Sequence, residues 1–429
     1  MNHTFRLLLR VSYTLLLMLL SPFLLTTLLK KKAGKPSVGK RWKEYFGFTP
    51  KMDTSAPFWI HTVSVGETIA AIPLIKALKH NYPSRTILLT TTTTTGAEQA
   101  EKLGKLVEHR YMPIDFAWCV RGFLRATKPS CMLIMETELW PNTLHTVAKA
   151  NIPISVLNAR LSERSCLRYK KVQSIFDLIS QNVSLFLCQH KDDAARFNRL
   201  GVTTSKTSVT GSLKFDIKIA DEIITAGETL REQLGKDRPV WIAASTHAGE
   251  DEQLLEAHQK LLLSQPNTLL ILVPRHPERF SSVIELSQSM KLRTVSRSST
   301  EKIIETTQVY VADTMGEMLL LIQSADICFM AGSLVGDKVG GHNLLEPAAL
   351  GKPMLNGPSY FNFTDITTQL LAKEAVIICN DSDEVSSQLE KLFQDQNLQK
   401  QMGKSALEVV EANQGAVEKT LTAIHPYLS

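Results

Sequence analysis

Short apolar runs alternate with helix-period segments along this chain, and the alternation happens twice. Phe58–Val63, Arg85–Thr91, Cys131–Met135, Ile152–Leu157 and Leu185–Cys188 have the length and composition of buried strands. Helical patterns fall between them, over Thr68–Leu78, from Gly96 and after Pro141. A polar helical segment follows at Asp221–Leu234, and then the pattern restarts. Strands are expected at Val240–Ala244, Leu269–Val273, Val309–Val311, Ile327–Met330, Pro353–Leu355 and Ala375–Cys379. Helices are expected at Glu250–Leu263, Met315–Gln323, from Leu345, and onward to the C-terminus. Such alternation requires crossover connections, and hence mostly parallel sheets covered by helices on both faces. The chain of 429 residues has room for two such α/β domains, expected at 33–212 and 213–429 and facing a central cleft. The uniform run Thr90–Thr95 reads as strand at its start and as loop before Gly96.

The N-terminus is different in kind. Val11–Leu29 carries no charge, with Arg6 and Arg10 before it and Lys30, Lys31 and Lys32 after it. Its length just suffices to cross a bilayer core. A secretory leader is the competing reading, but no small-x-small cleavage site precedes the lysines. Residues 1–32 are therefore expected to be a membrane anchor whose trailing cations keep the following domain on the cytoplasmic side. Lys40, Arg41, Trp42, Lys43, Tyr45 and Phe46 mix cations with aromatics. That mixture suits either an anionic headgroup layer or a solvated first helix of the domain.

The net charge of +6 invites a nucleic-acid reading until it is located. Residues 1–50 hold nine basic side chains and one acid, so the remaining body is near neutral. No nucleic-acid partner is expected. The six cysteines are scattered, without metal-ligand spacing, and read as buried free thiols.

The chemistry lies where strands end. Glu67 follows a strand and opens a helix, a position suited to a general base and equally to a favourable first-turn residue. Glu136 and Glu138 follow the strand Cys131–Met135, and one of the two can be structural. Lys214, at the domain junction, can meet an anion or be solvated. Arg275 and His276 follow Leu269–Val273, and Arg275 has the donor fork that a phosphate needs. Asp313 or Thr314 is expected to cap a helix starting near Met315-Gly316-Glu317, and Gly340–Glu346 forms a glycine-rich loop entering another helix. Helix starts attract phosphate, and Glu346 can accept from ribose hydroxyls. No GxxxxGK[ST], GxGxxG or HExxH occurs. Asp381-Ser382-Asp383 has the DxD form but more simply caps the helix from Glu384. No metal or cofactor is expected.

Taken in order, HTVSVGE (61–67), METELWP (135–141), NARLS (158–162), GSLKFD (211–216), PRHPERF (274–280), DTMGE (313–317) and GGHN (340–343) with Glu346 run along nearly the whole chain. Together they resemble the bacterial 3-deoxy-D-manno-octulosonic acid (Kdo) transferases of lipopolysaccharide assembly. The resemblance implies a GT-B fold of two Rossmann-like domains, a CMP-Kdo donor and a lipid IVA acceptor. It also implies one N-terminal anchor at the cytoplasmic face of the inner membrane, in contact with its lipids. By the same resemblance Glu67 is the proton acceptor, and Glu136 and Lys214 stabilise the transition state. Arg275, His276, Met315, Gly316, Glu317, Asn343, Leu344, Leu345 and Glu346 bind CMP. The transfer would invert the anomeric carbon, without a metal, and add one Kdo or two in succession. Leu344 stands where proline is expected in close relatives. A transferase using a UDP-sugar and a non-catalytic nucleotide-sugar binder are the alternatives.

Overall fold

The computed structural model describes residues 3–29, 38–54 and 56–428. The expected Lys30–Lys32 cluster lies outside them. Two compact units result: residues 1–216 with 414–429, and Ile217–Asn413.

The first unit holds a seven-stranded, fully parallel sheet. Its strands are β1 (Phe58–Thr62), β2 (Ile87–Thr91), β3 (Glu108–Tyr111), β4 (Cys131–Met135), β5 (Ile154–Ala159), β6 (Leu185–Cys188) and β7 (Thr207–Val209). They lie in the order β3-β2-β1-β4-β5-β6-β7. The central strands β1, β2, β4 and β5 are buried at every position, as helices on both faces demand. The chain starts at β1, winds one way to β3, then restarts at β4 on the other side of β1. The crevice between the carboxyl ends of β1 and β4 is therefore the ligand-binding point of this topology.

The second unit repeats the plan. Its strands are β8 (Val240–Thr246), β9 (Leu269–Pro274), β10 (Thr294–Ser296), β11 (Val309–Val311), β12 (Ile327–Met330), β13 (Met354–Asn356) and β14 (Val376–Ile378). The order is β10-β11-β9-β8-β12-β13-β14, again all parallel. Its reversal falls between β8 and β12.

Strands β3, β7 and β10 were not legible as apolar runs, and all three are sheet edges. An edge strand needs no continuous apolar sequence, and β7 accordingly leaves Ser208 and Val209 exposed. Thr90 and Thr91 end β2, as expected, but the helix begins earlier than Gly96. Thr93 caps it, accepting from the Gly96 N–H at 3.1 Å, so Thr94 and Thr95 are helical rather than loop. Asp381 caps the helix Ser382–Gln394 through the N–H groups of Asp383 and Glu384. The six cysteines are buried and unpaired.

The chain also departs from the 213–429 division. Residues 414–429 return to the first unit, where Ala416, Ile424 and Leu428 join the core of Leu74, Ile75 and Leu78. Asp216 holds the return, accepting from the Gly415 N–H at 2.6 Å and from the Val417 N–H.

Candidate active site

In the first unit, Glu67 opens the helix Val65–Asn81 at the carboxyl end of β1. Ser64 is the N-cap and accepts from the Glu67 N–H. In return Glu67 Oε1 accepts from the Ser64 hydroxyl at 3.1 Å, and its Oε2 accepts from the Val63 N–H at 2.8 Å. This reciprocal pairing resembles a capping box and fixes the carboxylate in one orientation. Burial pushes its pKa up to about 6, helped by the negative charges of Glu136 and Glu138, against the stabilising Val63 and Ser64 hydrogen bonds.

Glu136 begins the loop after β4, on the other side of the same crevice. Its backbone is left-handed, with φ of 57°, while its N–H donates to the Leu157 carbonyl at 2.8 Å. A side chain there costs about 1 kcal/mol. Its Oε1 stands 3.7 Å from Lys214 Nζ. Glu138 instead accepts from the Trp140 indole N–H at 2.9 Å. The two carboxylates thus divide: Glu136 meets the lysine and Glu138 holds the loop.

Asn158 opens the NARLS segment at the end of β5. It is fully buried, again left-handed at φ 54°, and its Oδ1 accepts from the Leu213 N–H at 3.1 Å. It therefore sets the turn that presents Lys214. His61 is buried against Thr90 with its pKa pushed down to about 4 by burial, so it is neutral framework.

In the second unit, Arg275 and His276 follow β9 and are exposed. The Arg275 N–H donates to the Thr246 carbonyl at 3.0 Å, tying this loop to the end of β8. Beside them lies a histidine group that sequence reasoning missed. His247 Nε2 and His342 Nε2 are 2.8 Å apart, and the rings stack at 5.1 Å. His276 meets His247 edge-on at 5.4 Å. Burial, then neighbouring positive charge including Arg275, pushes His247 down to about 4 and His342 to about 3. Both are neutral at pH 7, and one donates to the other. The available signal was position: His247 follows β8 at the β8/β12 reversal, as Glu67 follows β1.

Glu250 fixes the opposite wall. It is fully buried and accepts from the N–H groups of Gly332 (2.7 Å), Ser333 (3.0 Å) and Leu334 (3.0 Å). The Gly340–Glu346 loop does enter a short helix, Leu345–Ala349, where Asn343 Oδ1 accepts from the Leu345 N–H at 3.2 Å. Leu344 and Leu345 are fully buried, backbone included, and the Leu345 N–H is already taken by Asn343, so neither presents a group to a ligand and both support the loop from within. Glu346 is half-buried and raised in pKa by burial, with Arg275 and Asn343 opposing.

The expected helix start at Met315 is corrected. Gly316 turns with φ of 87°, and the helix begins at Met318 with Glu317 as N-cap. Asp313 accepts from the Ser298 N–H at 2.8 Å and caps no helix, while Thr314 donates to Glu317. Glu317 is committed to Arg297, which approaches it at 2.6 Å through two nitrogens and holds its carboxyl below the usual range. Met315 is exposed.

These arrangements fit known proteins. Residues 40–217 match the family described as 3-Deoxy-D-manno-octulosonic-acid transferase (kdotransferase), and residues 227–409 match Glycosyl transferases group 1. The 3-deoxy-D-manno-octulosonic acid transferase of Haemophilus influenzae is 38% identical over 423 residues, 98% of this chain and 99% of that protein. That of Bordetella pertussis is 33% identical, over 87% of this chain and 88% of that protein. Among solved structures, the UDP-GlcNAc 2-epimerase of Neisseria meningitidis aligns with a TM-score of 0.55 at 14% identity, over 87% of this chain and 100% of that one. That likeness is one of fold: two Rossmann-like units of the GT-B class.

Proposed function

Because this chain belongs to the 3-deoxy-D-manno-octulosonic acid transferase family, we propose that it moves Kdo from CMP-Kdo to lipid IVA at the cytoplasmic face of the bacterial inner membrane. The observation that carries the reading is Glu67: a carboxylate oriented by Val63 and Ser64, with its pKa raised to about 6, at the topological reversal of its sheet. Glu67 accepts the proton of the acceptor sugar hydroxyl as its oxygen attacks the anomeric carbon opposite the departing CMP. Configuration inverts. Lys214, paired with Glu136, supplies positive charge beside the reacting groups. Negative charge grows on the CMP phosphate as the bond breaks, and Arg275 with the backbone at Gly316 and Asn343 receives it. His276, Met315 and Glu346 complete the nucleotide pocket in this reading. Glu317, tied to Arg297, shapes its wall. A monophosphate leaving group needs no metal, so transfer should persist in excess chelator.

The test is incubation of the purified chain with a CMP-Kdo-generating system and lipid IVA, with product masses counted. One or two added Kdo units with released CMP is the expected result. No transfer, or competition by UDP rather than CMP, would overturn the donor assignment.

A further inference from the structure

The N-terminal helix His3–Leu29 is apolar enough over Thr4–Phe23 to cross a membrane, with a mean hydropathy of 1.4. Its packing says otherwise. One stripe, including Leu9, Tyr13, Thr14 and Leu17, is half-buried against the helices Pro141–Lys149 and Gln173–Ser180 of the first unit. The opposite face is open: Leu8, Leu15, Leu16 and Leu19 are 60%, 56%, 55% and 79% exposed.

The contact is specific. Asp115, 1% exposed, accepts from the Tyr13 hydroxyl at 2.9 Å. The same carboxylate accepts from the N–H groups of Asn142 (3.2 Å) and Thr143 (2.6 Å) and from the Thr143 hydroxyl (2.6 Å). The Asn142 side-chain amide donates in turn to Thr14 at 3.0 Å.

This contact is incompatible with a crossing helix. Tyr13 lies 17 residues before Lys30, about 25 Å along a helix axis. If residues 11–29 spanned the hydrocarbon core of about 30 Å, Tyr13 would be at the far surface from the body that Val38 begins. Asp115 belongs to that body, so the two could not meet. Both ends of the apolar stretch carry cations, which suits keeping both beside the anionic cytoplasmic leaflet.

The flanking surface has matching chemistry. The turn Gly39–Phe46 and the helix Ala117–Thr127, which starts two residues after Asp115, expose Trp42 (43%) and Trp118 (47%). Phe46 bridges them, stacked on Trp118 at 6.2 Å and edge-on to Trp42 at 5.8 Å. Lys40, Lys43, Arg121 and Arg125 are exposed on the same two elements. Their one carboxylate, Glu44, is buried and paired with Arg41. Tryptophan with unopposed cations is the composition of a surface that meets anionic headgroups.

We propose that the N-terminal helix lies in the plane of the cytoplasmic leaflet of an anionic phospholipid bilayer, docked to the enzyme body through Tyr13 and Asp115. Its outward leucines enter the acyl layer while Trp42 and Trp118 sit at headgroup level. The inference rests on the cytoplasmic-face reading only for which leaflet is used.

Two exposed positions, Thr4→Cys and Glu222→Cys, report sidedness to a membrane-impermeant maleimide in the full-length protein. Protection of both in intact spheroplasts, with labelling after permeabilisation, is expected. Labelling of Thr4→Cys alone in intact cells would establish a crossing helix and overturn the proposal. Labelling of both would keep the in-plane helix and overturn the cytoplasmic-face reading instead. Oxidative cross-linking of Thr14→Cys to Asn142→Cys in native membranes should join most of the chain, and its absence in an active double variant would also sink the docking. With vesicles containing phosphatidylglycerol, the wild-type chain should co-sediment, whereas a detergent-free soluble dimer would assign the leucine face to a second copy and overturn the lipid assignment.

Discussion

Lys214 Nζ lies 3.7 Å from Glu136 Oε1, and each partner reaches that point through an unusual backbone position. Glu136 is itself left-handed at φ 57°. Lys214 is presented by a turn whose Leu213 N–H is held by Asn158, left-handed at φ 54°. Both side chains are about one-third exposed, so the pair contributes little to stability and is better understood as preorganised charge. Lys214→Met should lower kcat about a hundredfold with little change in unfolding temperature. A drop in stability matching the drop in rate would make the pair structural.

Glu67→Gln keeps the size of the side chain and an acceptor for the Val63 N–H but removes the proposed base. General-base catalysis is worth about 10²–10⁴-fold, so kcat should fall by that amount while CMP affinity, which the proposed reading assigns to Arg275 and its neighbours, holds. Calorimetry with CMP alongside a transfer assay separates the two. Near-normal turnover would remove Glu67 from its role.

The same carboxylate sets a pH dependence. Its folded pKa is raised to about 6, so the proton-accepting form is present above that pH and is lost as pH falls through it. The acid limb of kcat/KM should break near pH 6 and then fall tenfold per unit. Because a raised carboxyl pKa means that the charged form is disfavoured by the fold, Glu67→Gln should not lose thermal stability at pH 7 to 8. A break near the ordinary glutamate value would show that burial does not act as described.

Arg275→Ala removes an exposed guanidinium beside the His247–His342 pair. A charge-assisted contact to phosphate is worth about 1.5–3 kcal/mol, so CMP should bind roughly 10–100-fold more weakly. Unchanged CMP affinity in a titration would sink the assignment.

Glu250→Gln tests the framework rather than the chemistry. Its amide keeps one acceptor oxygen and turns its NH2 either toward the Gly332 N–H or toward those of Ser333 and Leu334, which now share one buried carboxylate. Leaving such groups unsatisfied costs about 3 kcal/mol, visible as a lower unfolding temperature. An unchanged thermal transition would mean that the turn does not depend on this residue.

Much of the fold was legible because a doubly wound sheet buries both faces of its inner strands. Cys131–Met135 and Ile327–Met330 are apolar throughout, and Phe58–Thr62 begins with three apolar residues before His61 and Thr62. Edge strands such as Glu108–Tyr111 escape that requirement and were invisible. Glu67 and Glu136 stood out as candidates because they follow apolar runs within recognisable motifs, and Lys214 because it lies at the domain junction within GSLKFD. His247 did not, since one histidine after a strand is uninformative until His342, 95 residues later, stands 2.8 Å from it.

The sequence by itself determined two α/β units, the positions of their inner strands, the family, and a basic, apolar leader on a near-neutral body. These are local properties, set by periodicity and by residues a few positions apart. Tertiary structure alone decided what meets across long separations: Gly415 at Asp216, Lys214 at Glu136, His342 at His247 and Tyr13 at Asp115. Hydropathy measures how much apolar surface a helix has. It cannot say which face a buried carboxylate will claim, because Asp115 and Tyr13 lie 102 residues apart and meet only in the folded chain.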